Sequence, residues 1–336
     1  MRWKNRPDGA NWGDFGPDDQ IGRMNLVTPE RRLAGIREVI DGVSFCLSLP
    51  LDYPKVTVVD FRAPPRLFAR ARPDGEYEYN RAGEGAAFMG CCDAMCDDGV
   101  TLYTQFSTQW DSLAHWGRAF DADGDGVEEV VYYNGYRGGI DILPPEAGGP
   151  RANALGIDQM AQAAPQGRAV LVNLHRIYGN TQVRVGYDAL MSAFEAQDVS
   201  VQLGDFLLIY TGLDEIILNT PSDGDPMPIV TSCAALDGRD ERLLQWITDS
   251  GVVALCTDTL AVEAIDFDKP ANRHESCLPL HTHCLFKLGI HLGEMWHLKP
   301  LADWLWDRGR NAFLLTAPPL RLPGAVGSPV TPIALV

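Results

Sequence analysis

The chain has 336 residues, of which 46% are hydrophobic and 22% charged, so it can bury a sizeable core and is not a disordered chain. Its net charge of −17 argues against a polyanionic partner such as nucleic acid, whose binding rests on neutralising phosphates. Eight cysteines in a chain this long do not make a disulfide scaffold.

In chain order, the polar, Gly/Pro-rich start "MRWKNRPDGANWGDFGPDD" lacks the apolar run of a signal peptide, which leaves the cytoplasm as the expected location. Residues 1 to about 25 read as an N-terminal arm. "TPERRLAGIREVIDG" (28–42) predicts a helix, with Thr28 as N-cap, Pro29 in the first turn and Gly42 as the stop. Residues 60–100 read as loop-rich, and "CCDAMC" (91–96) as small buried thiols rather than a zinc site, since no second Cys/His pair follows at the usual spacing. "QFSTQWDSLAH" (105–115) reads as a strand with Gln105, Ser107, Gln109 and Asp111 on one face and Phe106, Thr108 and Trp110 on the other. "DADGDGVEE" (121–129) starts like a calcium loop, but its twelfth position is Tyr132, so it reads as an acidic turn.

Three continuous apolar runs, 167–174, 204–212 and 251–259, suit strands buried on both faces. Helical patterns at 185–198, 238–251 and 299–309 alternate with them. Together they predict an α/β fold, a mixed or parallel β-sheet with helical cover, and the length allows one large domain or two ordinary ones. The last segment, about 318–336, has too many prolines for a central strand and is expected to wrap the surface or a neighbouring subunit. The longest apolar runs are too short to span a bilayer.

No nucleophile elbow, P-loop or H-E-x-x-H motif is present. Five of the seven histidines fall between 274 and 297, beside Glu275 and Glu294. "PLHTHCLFKLGIHLGE" (279–294) is therefore the second chemical stretch, fit for a metal or an acid–base site.

"WGDFGPDDQIGRMNLVTPERRLAGIREVIDGVSFCLSLPLD", "TQWDSLAH", "YNG", "GDFLLIYTG", "TDTLAVE", "PLHTHCLFKLGIHLGEMWHL" and "GSPVTPIALV" follow one another in an order that resembles the putative cyclase family, which includes bacterial kynurenine formamidase and isatin hydrolase. The resemblance implies a single domain, residues 1–336, of the swivelling β/β/α type with a mixed β-sheet, a homodimer or homotetramer, and hydrolysis of small cyclic or aryl amides or lactones with a divalent metal. The family's motif H-x-G-T-H-x-D-x-P-x-H falls on Gln105, Ser107, Thr108, Gln109, Asp111, Leu113 and His115. Asp111 is thereby implied as a metal ligand and His115 as the acid–base residue, with His281 and Glu294 completing the site.

Gln105 and Gln109 stand where the family has ligand histidines. Neutral amide oxygens would shift preference from zinc toward manganese or magnesium, so manganese or zinc is the expected metal. Two alternatives remain: a metal-free pocket in which the glutamines bind a substrate carbonyl, and a non-catalytic binding protein. Asp258 is a candidate hydrogen-bond partner behind a ligand histidine, His283 a substitute for His281, and Trp110 and Trp116 a candidate aromatic wall for a flat small-molecule substrate.

Overall fold

The computed structural model describes residues 2–82, 92–265 and 275–336. Its centre is a mixed sheet of nine strands: β1 (Ser44–Cys46), β2 (Gln109–Asp111), β3 (Gln166–Asn173), β4 (Phe206–Tyr210), β5 (Ala254–Thr257), β6 (His291–Glu294), β7 (Ala312–Thr316), β8 (Gly327–Pro329) and β9 (Ile333–Leu335). Their spatial order is β1-β9-β7-β3-β4-β5-β6-β2-β8. The run β3-β4-β5-β6 is parallel, and every other pairing is antiparallel.

The three apolar runs became β3, β4 and β5, entirely buried but for Gln166 at the start of β3. Their residues divide by the two-residue period of a strand. Val170, Val172, Leu207, Ile209 and Leu255 join one core. Ala169, Leu171, Phe206, Leu208 and Cys256 join another on the opposite face. The first face is covered by helices α2 (Tyr187–Ala196) and α4 (Glu241–Ser250), through Leu190, Phe194, Leu243 and Ile247. The second is covered by α5 (Lys299–Asp307), through Leu301, Ala302 and Leu305. Between β4 and β5, the helix α3 (Leu213–Asn219) and a single turn, Met227–Thr231, fill a stretch that carried no helical pattern in the sequence reading.

The sheet curls. β8 lies at one end and β9 second from the other, yet only residues 330–332 join them. That link reaches at most about 14 Å. In a flat sheet the seven intervening strand spacings would separate them by about 34 Å. The hydrogen bonds Val330 N→Thr108 O (3.2 Å), Leu47 N→Pro332 O (2.8 Å) and His297 N→Leu47 O (2.9 Å) draw the two ends together. The C-terminal segment is therefore not a surface wrap, because both its strands belong to the main sheet. Pro329 sits on the edge strand β8 and Pro332 just before β9, places where a missing N–H costs no ladder bond.

Helix α1 (Pro29–Arg37) starts at the predicted cap, where Thr28 accepts from Arg31 N, but ends five residues before Gly42. Gly42 instead donates its N–H to the C-terminal Val336 carbonyl. The N-terminal arm is held by "YNG": Asn134 Nδ2 donates to Gly16, Pro17 and Asp19 carbonyls, and Trp12 Nε1 donates to Phe286 O at 2.8 Å. Residues 60–100 hold two short antiparallel ribbons, Arg66–Ala69 with Asp98–Thr101 and Tyr79–Arg81 with Met95–Cys96. Cys92 and Cys96 are exposed rather than buried, and Cys91 lies outside the described residues. Among the described residues no helix is long and apolar enough to cross a membrane.

Candidate metal centre

Only 109–111 of the expected strand 105–115 is extended. Within it the predicted alternation holds. Gln109 faces Glu294 across the ladder and Asp111 faces Leu292, all on the sheet face that α2 and α4 cover. Trp110 points the other way, edge-on to Trp296 with ring centroids 5.1 Å apart. Its indole N–H donates to Ala317 O at 2.8 Å, and that of Trp296 donates to Gln109 O at 3.1 Å. Both rings are fully buried, roughly 150–250 Å² each, worth about 4–6 kcal/mol per ring in area terms. Trp110 thus anchors the strand and is not part of a substrate wall. Before β2 the chain turns, with Thr108 Oγ1 accepting from Leu49 N at 2.9 Å and donating to Met295 O at 2.5 Å.

Asp111, His281 and Glu294 converge, with one ligand atom from each within 4.8 Å of the others, and all three are buried. Gln109 Nε2 donates to Glu294 Oε2 at 2.8 Å. Glu294 Oε1 accepts from Val262 N at 3.2 Å and lies 3.3 Å from His281 Nε2. Both oxygens of Asp111 and the Oε1 of Gln109 are buried with no hydrogen-bond partner. Burial, followed by the charge of Glu294, pushes the Asp111 carboxyl well above its usual range, while His281, Arg62 and the nearby Gln105 amide oppose the rise.

The residue behind His281 is Glu263, which the sequence reading did not single out. Its Oε1 accepts from His281 Nδ1 at 2.9 Å and from His281 N at 2.8 Å, and its Oε2 accepts from Leu280 N at 2.9 Å. One carboxylate thus caps the turn Pro279–His281 and fixes the ring. Gly238 makes room, because a Cβ there would collide with Glu263 Oε2. Burial alone would lower the His281 imidazole, but hydrogen bonds to Glu263 and Glu294 outweigh it and hold it up at about 10. Glu263 closes the quoted stretch "TDTLAVE", the only sequence signal it gave.

His115 sits beside the cluster, its Nε2 3.8 Å from Asp111 Oδ1 and its Nδ1 3.3 Å from the Gln105 amide nitrogen. Burial, then the neighbouring His281, lowers it to about 4. Gln105 lies in the turn rather than on the strand. A side chain at Gly327 would collide with its amide. Trp116 packs on His281 with centroids 5.3 Å apart, and its indole N–H donates to Thr282 Oγ1 at 3.0 Å. A cavity of about 270 Å³ opens onto Gln105, His115, Trp116, His281 and Glu294.

Two expected residues lie elsewhere. Asp258 accepts from Thr211 N and Oγ1 and from Gly212 N, Leu213 N and Asp214 N. It caps α3 instead of backing a histidine, because β5 ends beside that helix start. His283 is two residues beyond His281, about half a turn round its helical segment, and faces away from the site. Its Nε2 meets Thr248 Oγ1 of α4 at 2.9 Å, and burial lowers it to about 4. His274 lies outside the described residues. In the acidic turn, Asp121 accepts from Gly124, Asp125 and Gly126 N–H groups, and the Arg137 guanidinium lies 3.1 Å from Asp123 and 3.6 Å from Glu129. The acidic turn read from the sequence therefore has a cation of its own.

A curled mixed sheet that buries two carboxylates and an imidazole beneath an apolar cavity defines an α/β protein with a possible metal centre. The chain belongs to the family described as "Putative cyclase", whose model matches residues 46–264. It is similar to a solved structure described as a novel cyclase, at 30% identity and TM-score 0.77, with 97% of each chain covered. It shares its fold with an isatin hydrolase bound to the product analogue thioisatinate (13% identity, TM-score 0.56, covering 92% of this chain and 99% of that one). Isatin hydrolase A from Ralstonia solanacearum is a further likeness, at 15% identity and TM-score 0.54, with 88% and 92% covered. No curated protein matches the chain.

Proposed function

We propose that the protein is a metal-dependent hydrolase of a small cyclic or aryl amide or lactone. The observation that carries this reading is the set of three buried oxygens without hydrogen-bond partners, two on Asp111 and one on Gln109, where Asp111 converges on His281 and Glu294. Buried acceptors are nearly always satisfied, and three together beside a second carboxylate suit a cation. Asp111, Glu294 and His281 would hold it, with Gln109 Oε1 as a fourth, neutral donor. This oxygen-rich set favours a hard ion such as manganese over zinc. When bound, a divalent cation supplies Lewis acidity toward a carbonyl group and acidifies water.

The chain's own groups do the rest. Glu263 holds the His281 ring so that Nε2 faces the site. His115 stands at the cavity wall beside Asp111, placed to carry a proton from attacking water to the leaving amine or alkoxide. The Gln105 amide fixes the His115 ring through Nδ1. Trp116 offers a flat face beside His281 for a ring in the substrate. The names carried by the structural relatives, cyclase and isatin hydrolase, agree with a small substrate of this class.

A second reading has one observation in its favour. Both Glu294 oxygens already have partners within the protein, which suits a metal-free acid–base pocket built on His281 and His115. Hydrolysis of a panel of aryl formamides and lactones, before and after chelation and with manganese restored, separates the two. Loss on chelation and recovery on restoration supports the metal reading, and activity indifferent to chelator rejects it.

A further inference from the structure

The cavity above the candidate centre is mostly apolar, lined by Val58, Phe106, Trp116, Leu278 and Met295 among others. One guanidinium breaks that lining, close in sequence to the apolar lining residues Val58, Val59 and Phe61. Arg62 faces the cavity and is only partly exposed. Its Nη1 donates to the Gln105 carbonyl at 2.8 Å, and among the described residues it forms no ion pair. Its charge reaches Asp111 and His115.

The guanidinium lies over the Phe61 ring, 5.4 Å from its centroid, and no carboxylate of the described residues is paired with it. Acidic residues outnumber basic ones 45 to 28, so a carboxylate for Arg62 would be easy to supply. Only one of its five N–H donors is spent, on a backbone carbonyl, so the others can still hydrogen-bond a ligand. A planar fork with free donors beside apolar walls is suited to a carboxylate, which it can bind through two parallel hydrogen bonds. A chain of net charge −17 also repels anions at long range, so a local cation is what would admit one.

We infer that Arg62 binds a carboxylate borne by the substrate, so that the substrates are small apolar amides or lactones carrying one free acid group. The inference rests on the hydrolase reading for its reaction, and on Arg62 alone for its charge selectivity. The size of the cavity, about 270 Å³, limits the apolar body to one or two rings.

The test reads binding, so it does not depend on turnover. Calorimetry on the full chain as purified, and again with chelator, compares benzoate with benzamide and 3-phenylpropionate with its amide, at low and moderate salt. In the wild type each acid binds at least about tenfold tighter than its amide, as a charge-assisted bidentate contact allows. In Arg62→Met the acid-to-amide ratio falls by about tenfold or more, and Arg62→Lys restores part of it. A purely structural role, holding the turn through Gln105, would weaken acid and amide together and leave the ratio unchanged, which would overturn the inference. So would amides that bind as well as acids, or acids that bind more weakly than about 1 mM. A protein that shows the ratio but no chelator-sensitive hydrolysis would sink the metal reading and leave the charge selectivity standing.

Discussion

Replacing Asp111 with Asn separates the stability of the site from its use. The Asp111 carboxylate is fully buried, neither oxygen has a hydrogen-bond partner within 3.5 Å, and Glu294 adds a like charge. Such a group costs roughly 1–3 kcal/mol of desolvation that an isosteric amide avoids in part. Unfolding entropy is about 2.1 cal/mol/K per residue, so 336 residues give about 0.7 kcal/mol/K. Metal-stripped Asp111→Asn should therefore melt about 1.5–4 °C above metal-stripped wild type. With manganese added at a thousand times its Kd, the wild type gains about 4.1 kcal/mol, or about 6 °C, and the variant gains almost nothing. Differential scanning calorimetry with chelator and with manganese would show the order of the two proteins reverse. A variant that melts lower than wild type in chelator, or rises equally with manganese, would refute the reasoning.

Three further outcomes follow from the same geometry. His115→Ala should lose about 10²–10⁴-fold in kcat against an accepted lactone or formamide while probe affinity in calorimetry stays near wild type, and equal turnover would remove His115 from proton transfer. Gly238→Ala drives a methyl group into Glu263 Oε2, and should lower manganese affinity about 10–100-fold by freeing the His281 ring; unchanged affinity in a folded variant would dismiss Glu263 as its orienter. His283 is neutral when folded, with its value lowered to about 4, so the unfolded chain binds the extra proton and the wild type loses stability as pH falls from about 6.5 to about 4. His283→Gln should lose roughly 2 kcal/mol less between pH 7 and 4.5, read from urea midpoints, and parallel losses would show that this imidazole does not set the acid limit.

The parts of this fold legible in the sequence are those decided by local pattern. Val170, Val172, Leu207 and Ile209 lie in unbroken apolar runs that only a strand buried on both faces accommodates. The two-residue period of a strand likewise placed Gln109 and Asp111 together and sent Trp110 to the other side. The failures are tertiary. Asp258 looked like a site residue because it ends an apolar strand, and only the docking of α3 reveals five donors waiting for it. Glu263 was passed over because its partner is 18 residues further on and meets it only after the chain closes. The C-terminal prolines argued against central pairing, yet a sheet that curls has an edge for Pro329 and an entry for Pro332. The short strand at 109–111 could not be told from a longer one, since the turn at Thr108 is set by bonds to Leu49 and Met295.

The central claim is that Asp111, His281 and Glu294 hold one divalent cation. Anomalous diffraction at the manganese edge, from crystals grown with that ion, tests it most directly. The account predicts one strong peak about 2.0–2.6 Å from an oxygen of Asp111, an oxygen of Glu294 and Nε2 of His281, with Gln109 Oε1 as a further neighbour. No peak there, or a peak only in the acidic turn at Asp121, Asp123 and Glu129, would contradict it.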